Sequence, residues 1–344
     1  MSAPIPPTTA TSGGTPRAFV LTLAAVAVLA LLVPEFANRG VVFIAGIVLI
    51  NAVYGMGFNL LFSTVGVLSF GQAAFFAAGA YTAALLMLRL GEMPFLLVLA
   101  LTGVVGAVLA LAIGLLALRR TSGVYFAILT LAFGELLHIL FAKNAHMGRN
   151  DGLPGIRRPQ IDLGPWTLDL TGDRYYYFIV LACAVLFAAL WWISNSHLGR
   201  RFQAVRQDET RAAFLGINVA RTRLLGFVLA GGITGVAGGL FAPWTQIVTP
   251  ELAHWSNSAY PILFTLLGGA AFFWGPLVGA VLFAGIAWAL RAQVGATDVV
   301  TGLLLLTVVL VMPGGILGLL AATRARLAAV WTDRPRRRAG EAPR

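Results

Sequence analysis

The residues of this chain that could do chemistry fall into two groups. The first is a polar run, Asn195 to Thr222 (NSHLGRRFQAVRQDETRAAFLGINVART), set between two apolar spans. Asp208 and Glu209 open a helix-like stretch there, where acidic side chains meet the positive end of a helix dipole. Ala212 and Ala213 give a small, smooth face, and Gly216 follows Leu215 as a glycine cap would. A short helix bearing Phe214 and Leu215 suits insertion into a groove on another protein; the plainer alternative is an amphipathic helix lying on lipid. The second group is polar side chains inside apolar sequence. Glu135 sits within a span, with His138 three residues further on the same helical face. Asn51, Asn59, Ser69 and Gln72 surround a glycine-rich segment. An ionisable residue at membrane depth points to a transport path or proton relay. Pairing across helices is the structural alternative for Glu135, as are hydrogen bonds between helices for the other four.

Other chemistry is missing. A Walker A loop needs Gly-Lys-Ser/Thr, yet the only lysine, Lys143, follows Ala142 at the end of an apolar run. There is no HExxH, and the four histidines are scattered, so no zinc site is expected. Cys183 is the single cysteine, which rules out a disulfide within the chain, and its apolar surroundings suit a small core residue. The expectation is a protein that is no enzyme, with no catalytic residue, metal or cofactor.

The elements that must carry these residues are membrane helices. The 344 residues are 59% hydrophobic and 11% charged, where a soluble domain has about 25% charged. Apolar runs of roughly 20 residues recur, as spanning helices require. They lie at about 18–34, 40–62, 65–88, 94–118, 123–143, 175–194, 223–243, a compound region 258–290, and 299–320. The fold class is therefore all-α: a polytopic helical bundle with about eight to ten membrane segments, some broken or re-entrant. Residues 1–17 read as a disordered tail, 18–320 as the membrane domain with its loop at 195–222, and 321–344 as a basic cytoplasmic tail. No small-x-small cleavage site follows the first span, which reads as an uncleaved helix.

The net charge of +11 suggests nucleic acid only superficially. The arginines sit between spans and in the tail, where the positive-inside bias puts them, so the partner surface is a lipid bilayer and no nucleic acid is expected. Arg119 and Arg120 mark one cytoplasmic turn, the 195–222 loop a second side of the same compartment, and Arg334 and Arg336–Arg338 a third. The loop from Asn144 to Asp173 mixes both signs and belongs outside. The 223–243 span then leaves the chain outside near Glu251. One crossing of 258–290 followed by the last span would strand the basic tail outside, so 258–290 should enter and return, turning near Gly268, Gly269 and Gly275-Pro276. Gly231, Gly235 and Gly239, and Gly275 and Gly279, recur every four residues and let helices approach closely. Packing within the subunit is the default reading, and a subunit interface the sharper one. An AFF triplet occurs both in GVLSFGQAAFFAAGAYTAA and in LLGGAAFFWGPLVGA, a weak sign of an internal repeat.

Four segments together carry a resemblance. AVRQDETRAAFLGINVARTRLLGF (Ala204–Phe227) resembles the cytoplasmic coupling loop of branched-chain amino-acid ABC transporter permeases of the LivM type. GVLSFGQAAFFAAGAYTAALL, TLAFGELLHIL with NDGLPGI, and LLGGAAFFWGPLVGA resemble further segments of that family in the same order, over about residues 40–320. The resemblance implies an ATPase-coupling loop at Arg206, Asp208, Glu209, Ala212, Ala213 and Gly216, with Arg211 between the acidic residue and the alanine pair. It implies partners: a LivH-type second permease, two cytoplasmic ABC ATPase subunits that hydrolyse the ATP, and an extracytoplasmic amino-acid-binding protein. It also implies a multi-pass place in the bacterial inner membrane. Asn51, Asn59, Ser69, Gln72 and Glu135 stay candidates for the translocation path. Two other functions fit parts of the sequence: a urea or short-amide permease of the same group, and an ion-driven secondary transporter with Glu135 as its proton site.

Overall fold

The computed structural model describes residues 15–90, 93–118, 121, 123–163, 166–170, 174–290, 302 and 314–332. Its helices begin and end where the backbone is helped to do so. Helix α1 (Pro16–Phe36) starts on a proline, which lacks the N–H that a first turn leaves unpaired. Helix α2 (Arg39–Asn59) opens on Asn38, whose Oδ1 accepts from the Val41 amide at 3.0 Å. It runs into a π-helical turn (Leu60–Val65) and stops at Gly66, where φ is +84° and only glycine is unstrained. After a six-residue break comes α3 (Gln72–Arg89), then α4 (Phe95–Ala117), α5 (Val124–Lys143) and α6 (Arg174–Asn195). Two short helices, α7 (His197–Gln207) and α8 (Glu209–Phe214), precede α9 (Val219–Thr245). Helices α10 (Trp255–Gly268), α11 (Gly275–Leu290) and α12 (Gly315–Thr332) complete the described bundle.

Among the described residues, six helical runs are long and apolar enough to cross a membrane: 16–36, 39–65, 95–117, 124–143, 174–195 and 219–245. Helix α10 has 14 residues, or about 21 Å at helical rise, short of a hydrocarbon core of about 30 Å; α11 is described over 16 residues, to Leu290. They form a hairpin that turns near Gly268, Gly269 and Gly275. Its turn is drawn tight by glycine: a Cβ on Gly268 would lie 1.8 Å from the Gly275 carbonyl oxygen, and one on Gly279 the same distance from that of Phe264. At the end opposite α7 and α8, β1 (Leu153–Pro154) pairs antiparallel with β4 (Ile247–Val248), after β2 (Gln160–Leu163) and β3 (Trp166–Asp169) pair with each other.

Helix α9 runs through the middle and is gripped on two faces. Gly231, Gly235 and Gly239 face α4, where added Cβ atoms would meet Ala110 Cβ at 2.5 Å, Thr102 O at 2.5 Å and Thr102 Oγ1 at 2.6 Å. Gly238 faces α3, with the Phe76 carbonyl oxygen 1.9 Å from its Cβ position; Gly79 of α3 returns the contact against Gly235 O at 1.9 Å. Both glycine stripes thus pack inside the subunit. A large apolar cluster fills the space between α2, α3, α6 and α9, and a smaller one (Leu61, Val65, Val67, Phe75, Phe126, Phe202, Phe227) closes the α7 end. Cys183 is buried in the large cluster.

Some boundaries differ from the sequence reading. The run at 65–88 is not one span: the chain breaks at residues 66–71 and only α3 is helical, because Gly66 and Gly71 flank a segment stitched to α5. The polar loop ends at Asn218 rather than Thr222, since Asn218 caps α9 through the Arg221 amide at 3.0 Å. Among its described residues, the loop from 144 to 173 holds two 3-10 turns and three short strands. Helix α12 continues to Thr332, so residues 321–332 are helix rather than tail, and residues 16–17 already belong to α1. The two AFF triplets are not equivalent: Ala74–Phe76 lies in the first turn of α3, Ala271–Phe273 in the turn between α10 and α11. What the two regions share is a six-residue break opened by a positive-φ glycine, Gly66 or Gly269. Residues 1–14, Arg119, Arg120, Asp173, 299–301, 303–313 and the arginines beyond Thr332 lie outside the described residues.

Candidate functional site

The α7–α8 end is built from local hydrogen-bonding chemistry. Ser196 caps α7, its Oγ accepting from the Leu198 and Gly199 amides at 3.2 and 3.4 Å. Phe202 then buries against the π-helical turn and α9, and Val205 is buried as well. Asp208 breaks the helix in extended geometry and caps α8, its Oδ1 accepting from the Arg211 amide at 3.0 Å while Oδ2 pairs with Arg211 Nε at 3.0 Å. At the far end the Gly216 amide donates to Ala213 O at 2.9 Å and the Ile217 amide to Ala212 O at 3.0 Å. With Gly216 at φ +81° this is a Schellman closure. Every residue named from the sequence has a place here: Ala212 is buried, Glu209 pairs with Arg223 of α9, and Gly216 has open space around its Cβ position. Ala213 lies beside it on the outer side of α8. Phe214 and Leu215 point outward, 87% and 79% exposed. An exposed apolar pair on an arginine-rich tip, held by a capped turn, is shaped to be covered by something else.

Sequence reasoning missed α7 as a separate helix, and missed one contact of α7 and one of α8. Arg206 Nη1 donates to the Ser63 carbonyl oxygen in the π-helical turn, and the Glu209–Arg223 pair closes one wall of a cleft of about 350 Å³ between α8 and the Gly66–Leu68 break. The signal for α7 was present: Leu198, Phe202 and Val205 follow a Ser cap at helical spacing. The contact partners were not, because they lie on other elements.

The buried polar residues do not converge on one pocket. On α2, Asn51 is half-buried and Asn59, about 12 Å further along, accepts from Ser63 Oγ at 2.6 Å, a bond within its own helical run. Ser69, Gln72 and Glu135 do share a neighbourhood around Gly71. The Ser69 hydroxyl accepts from the Gly71 amide at 3.2 Å; Phe70 N donates to Thr130 Oγ1 of α5 at 3.1 Å; and a Cβ on Gly134, next to Glu135, would lie 3.7 Å from Gly71 Cα. Gln72 is fully buried and its Oε1 accepts from Thr234 Oγ1 of α9 at 3.1 Å. Its Nε2, and Oε2 of Glu135, are buried without a hydrogen-bond partner among the described residues. His138 does not partner Glu135 as its spacing suggested. Its Nδ1 sits 3.0 Å from the Pro250 carbonyl oxygen and its ring packs edge-on to His254, centroids 5.2 Å apart, because the 3-10 turn Pro250–Ala253 inserts against α5. No cluster of three His, Cys, Asp or Glu side chains among the described residues could hold a metal ion.

Comparison with known proteins follows these segments. The profile of a family described as "Branched-chain amino acid transport system / permease component" matches residues 40–312. The chain is 31% identical over 283 residues to the high-affinity branched-chain amino acid transport system permease protein LivM of Salmonella typhimurium and, equally, to that of Escherichia coli K12; this covers 76% of the chain. It spans 66% of the length of these LivM relatives, just under two thirds. It is 29% identical over 290 residues to the LivH permease protein of Escherichia coli K12, covering 78% of the chain and 91% of that protein. No solved structure matches the chain.

Proposed function

Since this chain belongs to the permease family of branched-chain amino-acid transport systems, we propose that it is a membrane subunit of an ATP-driven importer for branched-chain or related amino acids in a bacterial inner membrane. Residues 18–320 form its membrane domain and the α7–α8 end is its cytoplasmic face. A LivH-type permease completes the pore, two cytoplasmic ATPase subunits drive it, and an extracytoplasmic binding protein delivers the amino acid. The observation that carries this reading is α8. It is a single capped turn that presents Phe214 and Leu215 to the outside while Ala212 and the Glu209–Arg223 pair fasten it to the bundle. Such a turn can move as a unit when an ATPase seated on it closes. Substrate then passes between helices rearranged around the breaks at 66–71 and 269–274.

Glu135 is proposed to face the path. Its unpartnered buried carboxylate oxygen supports this, since a charge at membrane depth without a protein partner calls for water or a passing polar group. The same family membership speaks against an ion-driven transporter. The test of the whole reading is uptake of labelled branched-chain amino acids into cells carrying Gly216→Val or Glu209→Gln. Both variants should reach the membrane and both should lose uptake together with co-purifying ATPase; normal uptake by both would end the docking assignment.

A further inference from the structure

Three features converge on the end of α2. The first is the π-helical turn at Leu60–Val65, one extra residue wound into the helix. Such turns concentrate at functional hinges, because returning to α-geometry shifts every following residue by one position. The second is the carbonyl of Ser63. It belongs to the last turn of that helical run, where carbonyls lack amide partners further along and the helix dipole is negative. The third is Arg206. Its guanidinium donates to that carbonyl oxygen, and its stem crosses Gly66 so closely that a Cβ there would meet Arg206 Cγ at 2.9 Å, Cβ at 3.2 Å and Cα at 3.4 Å. Arg200 and Arg201, on the same short helix and exposed like Arg206, make no such contact with α2 among the described residues.

The contacts on either side of Arg206 make a continuous line. Two residues along, Asp208 caps α8. On the other side, the π-helical turn leads through Gly66 into the 66–71 break, whose Phe70 and Gly71 lie against Thr130 of α5. The first turn of α3 follows, and there the Ala73 amide donates to Ser258 Oγ of α10 at 3.1 Å. Apolar burial of Phe202 keeps α7 seated on the turn, but burial has no direction. The charge-assisted bond from Arg206 does, since it names one carbonyl.

We propose that Arg206 is a positioning residue for transport: it holds the π-helical register of residues 60–65 while α8 is at rest, and displacement of α8 withdraws it, letting the turn rewind and shift the 66–71 break against α5 and α10. The inference rests on the docking role of α8 set out above. It places the first membrane-side event of the cycle at Ser63–Gly66 rather than in the glycine-locked helices.

The experiment uses the complete transporter reconstituted in proteoliposomes with its partner permease, ATPases and binding protein. Arg206→Met keeps the stem over Gly66 and removes the donors; Arg206→Lys keeps a single donor. Bound ATPase, basal ATP hydrolysis and amino acid imported per ATP are measured for each, with Gly216→Val as the docking control. For Arg206→Met, amino acid imported per ATP hydrolysed by the bound ATPase should fall about tenfold, as expected for losing one charge-assisted hydrogen bond; Arg206→Lys should recover part of it. Unchanged import per ATP in Arg206→Met overturns the inference while the docking reading stands. Loss of bound ATPase in parallel with import also overturns it, because Arg206 would then be part of the docking surface. Failure of both variants to assemble assigns the residue a purely structural role and overturns it likewise. Gly216→Val retaining ATPase and import defeats the docking reading itself.

Discussion

Truncating Phe214 isolates docking from folding. The side chain is 87% exposed in the subunit, so Phe214→Ala removes almost nothing that the bundle packs against, and the subunit's own stability should move by less than about 0.5 kcal/mol. On the docking role proposed for α8, the ring is covered in the assembled transporter. A buried Phe removes roughly 150–250 Å² from water, and at about 25 cal/mol per Å² this sets an upper bound of about 4–6 kcal/mol. Alanine keeps part of that area and the partner surface relaxes, so the loss expected on truncation is about 2–3 kcal/mol, the size of an interface hot spot. That corresponds to an ATPase affinity weaker by about 30- to 150-fold. The assay is titration of purified ATPase onto the two-permease membrane part held in nanodiscs, alongside a thermal melt of the same sample. A Kd within about twofold of the parent, far below the hot-spot range, would refute the reasoning. Phe214 would then lie on lipid, and the variant should instead loosen α8 from the bilayer surface.

Two further outcomes follow from the packing and the buried polar atoms. Gly238→Ala puts a methyl carbon 1.9 Å from the Phe76 carbonyl oxygen, so α3 and α9 must part by about 1.5 Å and the subunit should lose about 1–3 kcal/mol or more; an unshifted melting temperature in fluorescence-detected size exclusion would contradict it. Glu135→Gln keeps the shape and removes the charge, and should lower amino-acid import by about tenfold or more without changing bound ATPase, if the unpartnered oxygen faces the path; full import would make Glu135 a packing residue.

Much of the fold was legible because hydropathy and loop charge act locally. The arginine-rich loop and the mixed-charge loop give α9 an expected direction, and the parity that follows asks for a turn within 258–290, where α10 and α11 are separated by the break at 269–274. The Asp208 cap and the Gly216 closure were legible for the same reason: each is decided within a few residues. What could not be read depends on elements that meet only on folding. His138 turned to Pro250 because a 3-10 turn more than a hundred positions away occupies its face. Nothing in the sequence near Ser63 announces a π-helical turn, since a helix with one extra residue has the same hydropathy as one without. The break at 66–71 was read through because Val67, Leu68 and Phe70 are apolar; glycine at either end decided it.

The glycine contacts also divide the bundle into parts that can and cannot move separately. Where backbone carbonyls of α3 and α4 sit at Cβ distance from α9, no side chain is present to re-pack, so α3, α4 and α9 must shift as one body. The α10–α11 hairpin is closed in the same way at Gly268, Gly275 and Gly279, and forms a second. The first body meets the hairpin through the Ala73 amide, which donates to Ser258 Oγ, while α2 lies alongside the hairpin and adds Tyr54 OH to Asn257 O at 3.0 Å and Thr265 Oγ1 to Gly55 O at 3.4 Å. Each is worth about 1 kcal/mol net, small beside the packing within either body. A conformational change driven from α8 should therefore open along this polar seam. The seam begins at the first turn of α3, directly after the break that leads from the π-helical turn and Gly66. Strong packing within the bodies and weak polar contacts between them would let one small helix at the surface govern a path through the middle of the membrane.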